Sequence, residues 1–201
     1  MTPQKRLFDL VLACLLAVLL APVLLALAAL IALRDGRPVL YLSERMQTPD
    51  RGFQLVKFRT MRPDPADAGV SGADKAGRIT ATGRLLRRIR ADELPQLWNV
   101  IRGDISLVGP RPPLRQYVEK FPELYAQVLR ARPGVTGLAT LRFHRHEARI
   151  LARSRSAAET DALYCRACIP RKARLDLIYQ AHQTLCLDAA ILWQTVLRVL
   201  R

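Results

Sequence analysis

Residues 10–33 read LVLACLLAVLLAPVLLALAALIAL, with no charged and no strongly polar side chain. As a helix rising about 1.5 Å per residue, this run is about 36 Å long, enough to cross a hydrocarbon core of about 30 Å. A buried helix of a water-soluble domain keeps a polar stripe, and this run has none, which points to a membrane. A cleaved signal peptide does not fit. The run is about twice a normal signal core, and Arg34-Asp35-Gly36-Arg37 is a poor cleavage site. Two membrane arrangements compete: a spanning helix, and a re-entrant hairpin that enters and leaves by one face. Pro22, at the middle, removes a backbone hydrogen bond and bends a helix. Lys5 and Arg6 precede the run and Arg34 and Arg37 follow it, without the one-sided basic bias of a translocated end. Both features favour the hairpin. Proline is tolerated in spanning helices, however, so the residues alone leave both arrangements open.

The remainder is strongly basic. The 201 residues carry 32 Lys and Arg against 17 Asp and Glu, a net charge of +15. Half of all residues are hydrophobic, which excludes a disordered chain. With 10 Gly and 13 Pro, neither collagen-like nor low-complexity structure is available. Four Cys do not make a secreted disulfide scaffold, so a reducing compartment is expected. The positive excess calls for a polyanionic partner: nucleic acid, an anionic membrane surface or a phosphorylated ligand.

Along the chain, residues 38–42 (PVLYL) and 53–58 (FQLVKF) are short β-like runs joined by turn formers, which predicts a hairpin. Residues 64–77 are small, acidic and glycine-containing, and read as a mobile loop. Residues 82–90 (TGRLLRRIR) form a basic amphipathic helix, and Pro95 opens another. Residues 114–131 are helical with an interruption at Pro122. Residues 109–113 (GPRPP) and 132–137 (RPGVTG) are stiff basic turns. Two more helices are predicted over 175–183 and 185–200. The last, about 24 Å long, is too short to span; it either packs as core or lies in the bilayer interface. The fold class is α+β, mainly helical.

Phosphate-loop, dinucleotide and nucleophile-elbow patterns are all absent. Asp92-Glu93-Leu94-Pro95 is the salient polar feature: two adjacent carboxylates after a basic segment and before a helix-starting proline. At a helix start both can face one site, but first-turn capping is the commoner use of such residues. Arg111, between prolines, is presented with little entropy left to lose. Cys165 and Cys168 with His144 and His146 could supply zinc ligands. The His spacing is wrong for a helical pair and no second CxxC exists, so packing thiols are expected.

The order of these motifs resembles the small monotopic phosphoglycosyl transferases, bacterial sugar transferases acting on polyprenol phosphate. The likeness rests on KRLFDLVLA (5–13), the proline-broken apolar run, SERM (43–46), KFRTM (57–61), TGRLLRRIRADELPQLWNVIRGDISLVGPRP (82–112) and RPGVTG (132–137). LDLIY (175–179) is a weaker match. The resemblance implies transfer of a sugar 1-phosphate from a UDP-sugar to polyprenol (undecaprenyl) phosphate, releasing UMP. It also implies a covalent aspartyl phosphosugar intermediate in the first membrane step of polysaccharide or glycoconjugate synthesis. Asp92 would be the nucleophile, Glu93 would help hold Mg²⁺, and Lys57 would complete the catalytic group. Arg87 and Arg111 would contact substrate phosphates, with Arg132 a further substrate-binding residue. Residues 1–36 would form a membrane re-entrant helix broken at Ala21-Pro22. Residues 37–201 would form a catalytic domain with amphipathic interfacial helices on the cytosolic face of the bacterial inner membrane. Where relatives often have Ser before the proline, this chain has Ala21.

Relatives often carry Trp-Ala-Gln after the second basic turn, where this chain has Leu138-Ala139-Thr140. Residues 143–174 are also longer and more basic than in the smallest members. Donor selectivity is often placed there, so the sugar is unassigned. The partners implied are a UDP-sugar, polyprenol phosphate and anionic phospholipid; a second copy of the chain, as a homodimer, is a further candidate. A basic membrane-anchored scaffold or nucleic-acid binder is the alternative class. It leaves the acidic pair beside a stiff GPRP loop unexplained, and few aromatics are available for base stacking, so no nucleic-acid partner is expected.

Overall fold

The computed structural model describes residues 1–64, 70 and 73–200. The molecule is mainly helical. Helix α1 (Pro3–Arg34) starts at Thr2, whose side chain accepts from the Lys5 amide, with Pro3 in the first turn. It runs without interruption through Ala21 and Pro22. The expected break is therefore not a gap between two helices. An interior proline costs one hydrogen bond and bends the axis, and flanking helix-forming residues carry the helix past it. Among the described residues, α1 is the one helix long and apolar enough to cross a membrane.

The uniform sequence of α1 hides two faces. Leu12, Ala13, Leu16, Ala17 and Leu20 pack on one core cluster, and Leu24, Leu27, Ala28 and Ile31 on another. These recur at helical spacing, a stripe along most of the helix. The opposite face is apolar and bare: Leu7, Val11, Leu15, Val18, Leu19 and Leu25 are all exposed, Val18 by 77%.

Strands β1 (Leu40–Met46) and β2 (Gly52–Phe58) form the predicted antiparallel hairpin, with Tyr41 opposite Lys57 and Met46 opposite Gly52. Of the region expected as a mobile loop, residues 65–69 and 71–72 lie outside the described residues, and Ala73–Arg78 forms a 3₁₀ turn. Helix α2 (Ala81–Arg88) is capped by Thr80, whose hydroxyl accepts from the Gly83 amide at 2.9 Å. Next come a 3₁₀ turn at Ala91–Glu93 and helix α3 (Gln96–Arg102), which ends at Gly103 with φ 86°.

A second, parallel two-stranded sheet joins β3 (Ser106–Val108) to β4 (Gly134–Thr136). Its second strand takes up residues expected to be turn. Gly109 and Gly134 lie against each other's backbones and Gly137 against Gly109, where an added Cβ would collide. Helices α4 (Arg115–Lys120) and α5 (Pro122–Val128) divide at Pro122, as expected. Helix α6 (Leu138–Leu151) is followed by α7 (Ala157–Leu163), which continues through a π-helical turn at Tyr164–Cys168 into α8 (Ile169–Ala181). In α9 (Leu185–Leu200), Asp188 and Ile191 are buried, whereas Trp193 is 65% exposed; the helix has a core face and a bare apolar face.

Both ends of α1 are tied to this body. At one end Lys5 Nζ donates to Asp188 Oδ2 at 2.7 Å, and Ser106 Oγ donates to Asp9 Oδ2 at 2.7 Å. Arg6 donates to the Val100 and Ile101 carbonyls at the end of α3. At the other end Arg59 donates to the Asp35 and Gly36 carbonyls, both at 2.6 Å, and Thr80 Oγ1 to the Asp35 carboxylate at 3.0 Å.

Candidate active site

Asp92 and Glu93 lie in the 3₁₀ turn between α2 and α3, and neither caps α3, whose N-cap is Pro95 with no side-chain cap bond. The turn exists because Arg90 adopts φ 56°, a left-handed conformation uncommon for a non-glycine residue. That reversal brings the Arg90 guanidinium back over Glu93, three residues on.

Glu93 is buried and holds three cations. Its Oε1 accepts from Arg111 at 2.7 Å and from Lys57 Nζ at 3.3 Å; its Oε2 accepts from Arg90 at 2.7 Å. Burial alone would raise the Glu93 carboxyl. Arg111, Lys57 and Arg90 outweigh it and hold the group well below the usual carboxylate range. Lys57 is pushed down to about 8 by burial and by Arg111, against the pull of Glu93. Arg111 is raised in turn, chiefly by Glu93. Each part has a separate origin in the chain: β2 supplies Lys57, the 3₁₀ turn Glu93, and the Gly109–Pro113 loop Arg111.

Asp92 differs from its neighbour. It makes no side-chain hydrogen bond or ion pair among the described residues. Burial and then Glu93 raise its carboxyl, while Lys57, Arg87 and Arg111 oppose them. Such a carboxylate is more basic than usual and faces a cavity of about 1050 Å³, which Lys57, Arg87, Arg90, Glu93 and Arg111 also line. Arg87 Nε donates to Thr60 Oγ1 at 2.8 Å, fixing it at the cavity wall.

The structure thus brings together Lys57, Arg87, Asp92, Glu93 and Arg111. It does not bring Arg132. That side chain donates to the Gly103 carbonyl beside Arg6 and Arg51, outside the cavity lining, and supports the turn that ends α3. Cys165 and Cys168 are buried in the core with Tyr117 and Tyr125, as packing thiols. His144 lines the cavity, whereas His146 packs against Phe143. Among the described residues no three His, Cys, Asp or Glu side chains gather to hold a metal.

A divalent cation that takes most of its ligands from phosphate and water still fits here. Asp92 has its full acceptor capacity free, and Glu93 Oε2 accepts from Arg90 alone. Arg45 is a further residue of the site, and its position on β1 within SERM carries no local signal of that role. It lines the same cavity, and burial and Arg111 push it down to about 10. A half-buried cation without a carboxylate partner among the described residues suits an anionic ligand.

The bacterial sugar transferase family matches over residues 1–201. A Bacillus subtilis protein named uncharacterized sugar transferase EpsL is 36% identical over 196 residues, covering 98% of this chain and 87% of its own length. The UDP-glucose:undecaprenyl-phosphate glucose-1-phosphate transferase of Caulobacter vibrioides is 44% identical over 165 residues, 79% of this chain and 61% of that protein. A UDP-N-acetylgalactosamine-undecaprenyl-phosphate N-acetylgalactosaminephosphotransferase of Aeromonas hydrophila is 38% identical over 141 residues, 67% of this chain and 33% of that protein. The chain spans less than two thirds of the length of these last two relatives.

Proposed function

The chain belongs to the bacterial sugar transferase family, and we propose that it moves a sugar 1-phosphate from a UDP-sugar to undecaprenyl phosphate, releasing UMP. The observation that carries the proposal is the contrast within the acidic pair: Glu93 is engaged by three cations while Asp92 beside it has no hydrogen-bond partner among the described residues, is raised and lines a cationic cavity. The names of the Caulobacter and Aeromonas relatives supply the substrate class.

In the first step a carboxylate oxygen of Asp92 attacks the phosphorus that bears the sugar. The bond from that phosphorus to the oxygen bridging to UMP breaks, and UMP leaves with the electron pair. A carboxylate does not approach a diphosphate unaided, because both are anionic. Arg111, Lys57 and Arg87 lower that repulsion and stabilise charge developing on the phosphate oxygens. In the second step a phosphate oxygen of the lipid attacks the same phosphorus and the acyl-phosphate bond breaks, restoring Asp92. Glu93 fixes the cations in place instead of reacting. Glu93 would also help hold a Mg²⁺ ion, which would supply further neutralisation of the diphosphate.

The proposed reaction requires the site to meet a membrane. The bare apolar face of α1, the exposed Leu40, Tyr41 and Leu42 of β1, and Trp98 and Trp193 form the lipid-facing side, with aromatics suited to the headgroup level. The cavity wall reaches Leu40 and Tyr41, so the lipid phosphate can arrive from that side. Entry and exit of α1 by one face is supported by its two ends, since Lys5 and Asp35 are both bonded to the body that carries the site. We infer that this face is the cytosolic one of the inner membrane, where a UDP-sugar is available.

Purified protein with Mg²⁺, undecaprenyl phosphate and a panel of UDP-sugars should release UMP from at least one donor, and Asp92→Asn should abolish the release. Equal release by the variant would reject Asp92 as nucleophile.

A further inference from the structure

The cavity has an inner lobe that the transfer steps above do not use. It lies between α6, the π-helical turn and α8, and Glu147, Tyr164, Lys172 and Asp176 line it. Three of these satisfy one another: Lys172 Nζ donates to Glu147 Oε1 at 2.8 Å and to the Tyr164 hydroxyl at 3.2 Å. Asp176 is different. It is 6% exposed, and its Oδ1 has no hydrogen-bond partner. A buried acceptor left open costs stability, which is tolerable where a ligand completes it. Burial pushes this carboxyl up to about 7, with Lys172 offsetting only part of the effect.

The lobe continues from the reacting groups. Arg111, held by Glu93, lies within electrostatic reach of both Glu147 and Tyr164. Asp92, Arg111, Glu147 and Lys172 line one continuous cavity, so a group attached to the phosphorus that Asp92 attacks can reach the lobe. The lobe offers hydrogen-bond acceptors and one ammonium, and its Tyr164 ring is covered. Lys172 sits over the Tyr164 ring, 5.0 Å from its centroid, and that ring packs against Tyr117 at 4.9 Å. A saturated ring of hydroxyls meets acceptors and a donor here.

We propose that this lobe holds the sugar of the donor, with Asp176 accepting a hydrogen bond from one sugar hydroxyl and the Lys172–Glu147 pair contacting its neighbours. The inference rests on the transferase reading and adds to it the residues that select the sugar. Donor discrimination by a buried acceptor is steep, because an analogue lacking the hydroxyl leaves that acceptor unpaired.

The test measures UMP release from the best UDP-sugar and from its monodeoxy analogues, using wild type, Asp176→Asn and Asp176→Ala, together with product inhibition by UMP. In wild type, one deoxy position should lose about tenfold or more in kcat/KM. Asp176→Ala should lose activity on the full donor and no longer discriminate against that analogue, with UMP inhibition unchanged in both variants. Unchanged discrimination in the variants would overturn the proposal. Weakening of UMP inhibition in step with donor binding would do so too, by placing the uridine in the lobe. The wild-type series stands even where a variant fails to fold: no sensitivity to any single hydroxyl is also a refutation. Release of UMP from no donor at all would remove the transferase reading itself, and this inference with it.

Discussion

Glu93 holds three cations in place, whereas its neighbour Asp92 holds none. From the sequence alone the pair was most simply a helix cap. The separation of roles comes from Arg90, whose left-handed backbone makes the 3₁₀ turn and whose guanidinium takes one Glu93 oxygen. Nothing in a run of arginines marks that one as the residue that turns the chain. Lys57 provides a pH signature. Its amine, down to about 8, is charged below that value and neutral above it. Activity that needs the charge is present at lower pH and falls as pH rises through about 8. Lys57→Arg should shift that falling limb upward, as read from the pH profile of kcat/KM; an unmoved limb would assign it to another group. The acidic pair, Lys57, Arg87 and Arg111 stood out in the sequence through family motifs. Asp176 did not stand out as a site residue, because its open oxygen is a fact of packing between distant helices.

At the scale of elements, the apolar run, the first hairpin and the Pro122 break follow from local pattern, and all appear. The sheet pairing Ser106–Val108 with Gly134–Thr136 does not, because three-residue strands joined across two intervening helices leave no periodicity to read. Helix α1 shows a further limit. Its packing stripe and its bare face are both made of Leu, Val and Ala, so hydropathy cannot tell them apart. What fixes its rotation is polar. Lys5, Asp9, Asp188, Tyr179 and Ser106 form a buried network, with the Tyr179 hydroxyl donating to Asp188 Oδ1 at 2.7 Å. Removing one partner strands a buried charge. Asp188→Ala should cost about 3–5 kcal/mol, measured as lost resistance to denaturant in detergent. A loss below about 1 kcal/mol would show an exposed, weak pair instead.

At the scale of the whole molecule, the hydrophobic half and the +15 charge occupy different places. The apolar excess is spread over the bare faces of α1, β1 and α9. Much of the basic excess that packing brings together, Arg45, Lys57, Arg87, Arg90 and Arg111, surrounds one cavity. Because both ends of α1 attach to the same body, a cysteine placed at Thr2, with Cys14 and Cys186 replaced, should resist impermeant labelling from outside intact cells and react after lysis. Labelling from outside would make α1 a spanning helix. In the proposed reaction Asp92 carries the sugar phosphate between donor and lipid. The most direct test is intact-protein mass spectrometry after mixing the enzyme with Mg²⁺ and its UDP-sugar in the absence of lipid acceptor. The expected result is release of UMP in an amount no greater than the enzyme, a mass gain of one sugar phosphate, its mapping to the peptide containing Asp92, and loss of all three in Asp92→Asn. UMP release that requires the lipid acceptor, with no mass gain on the protein, would contradict it.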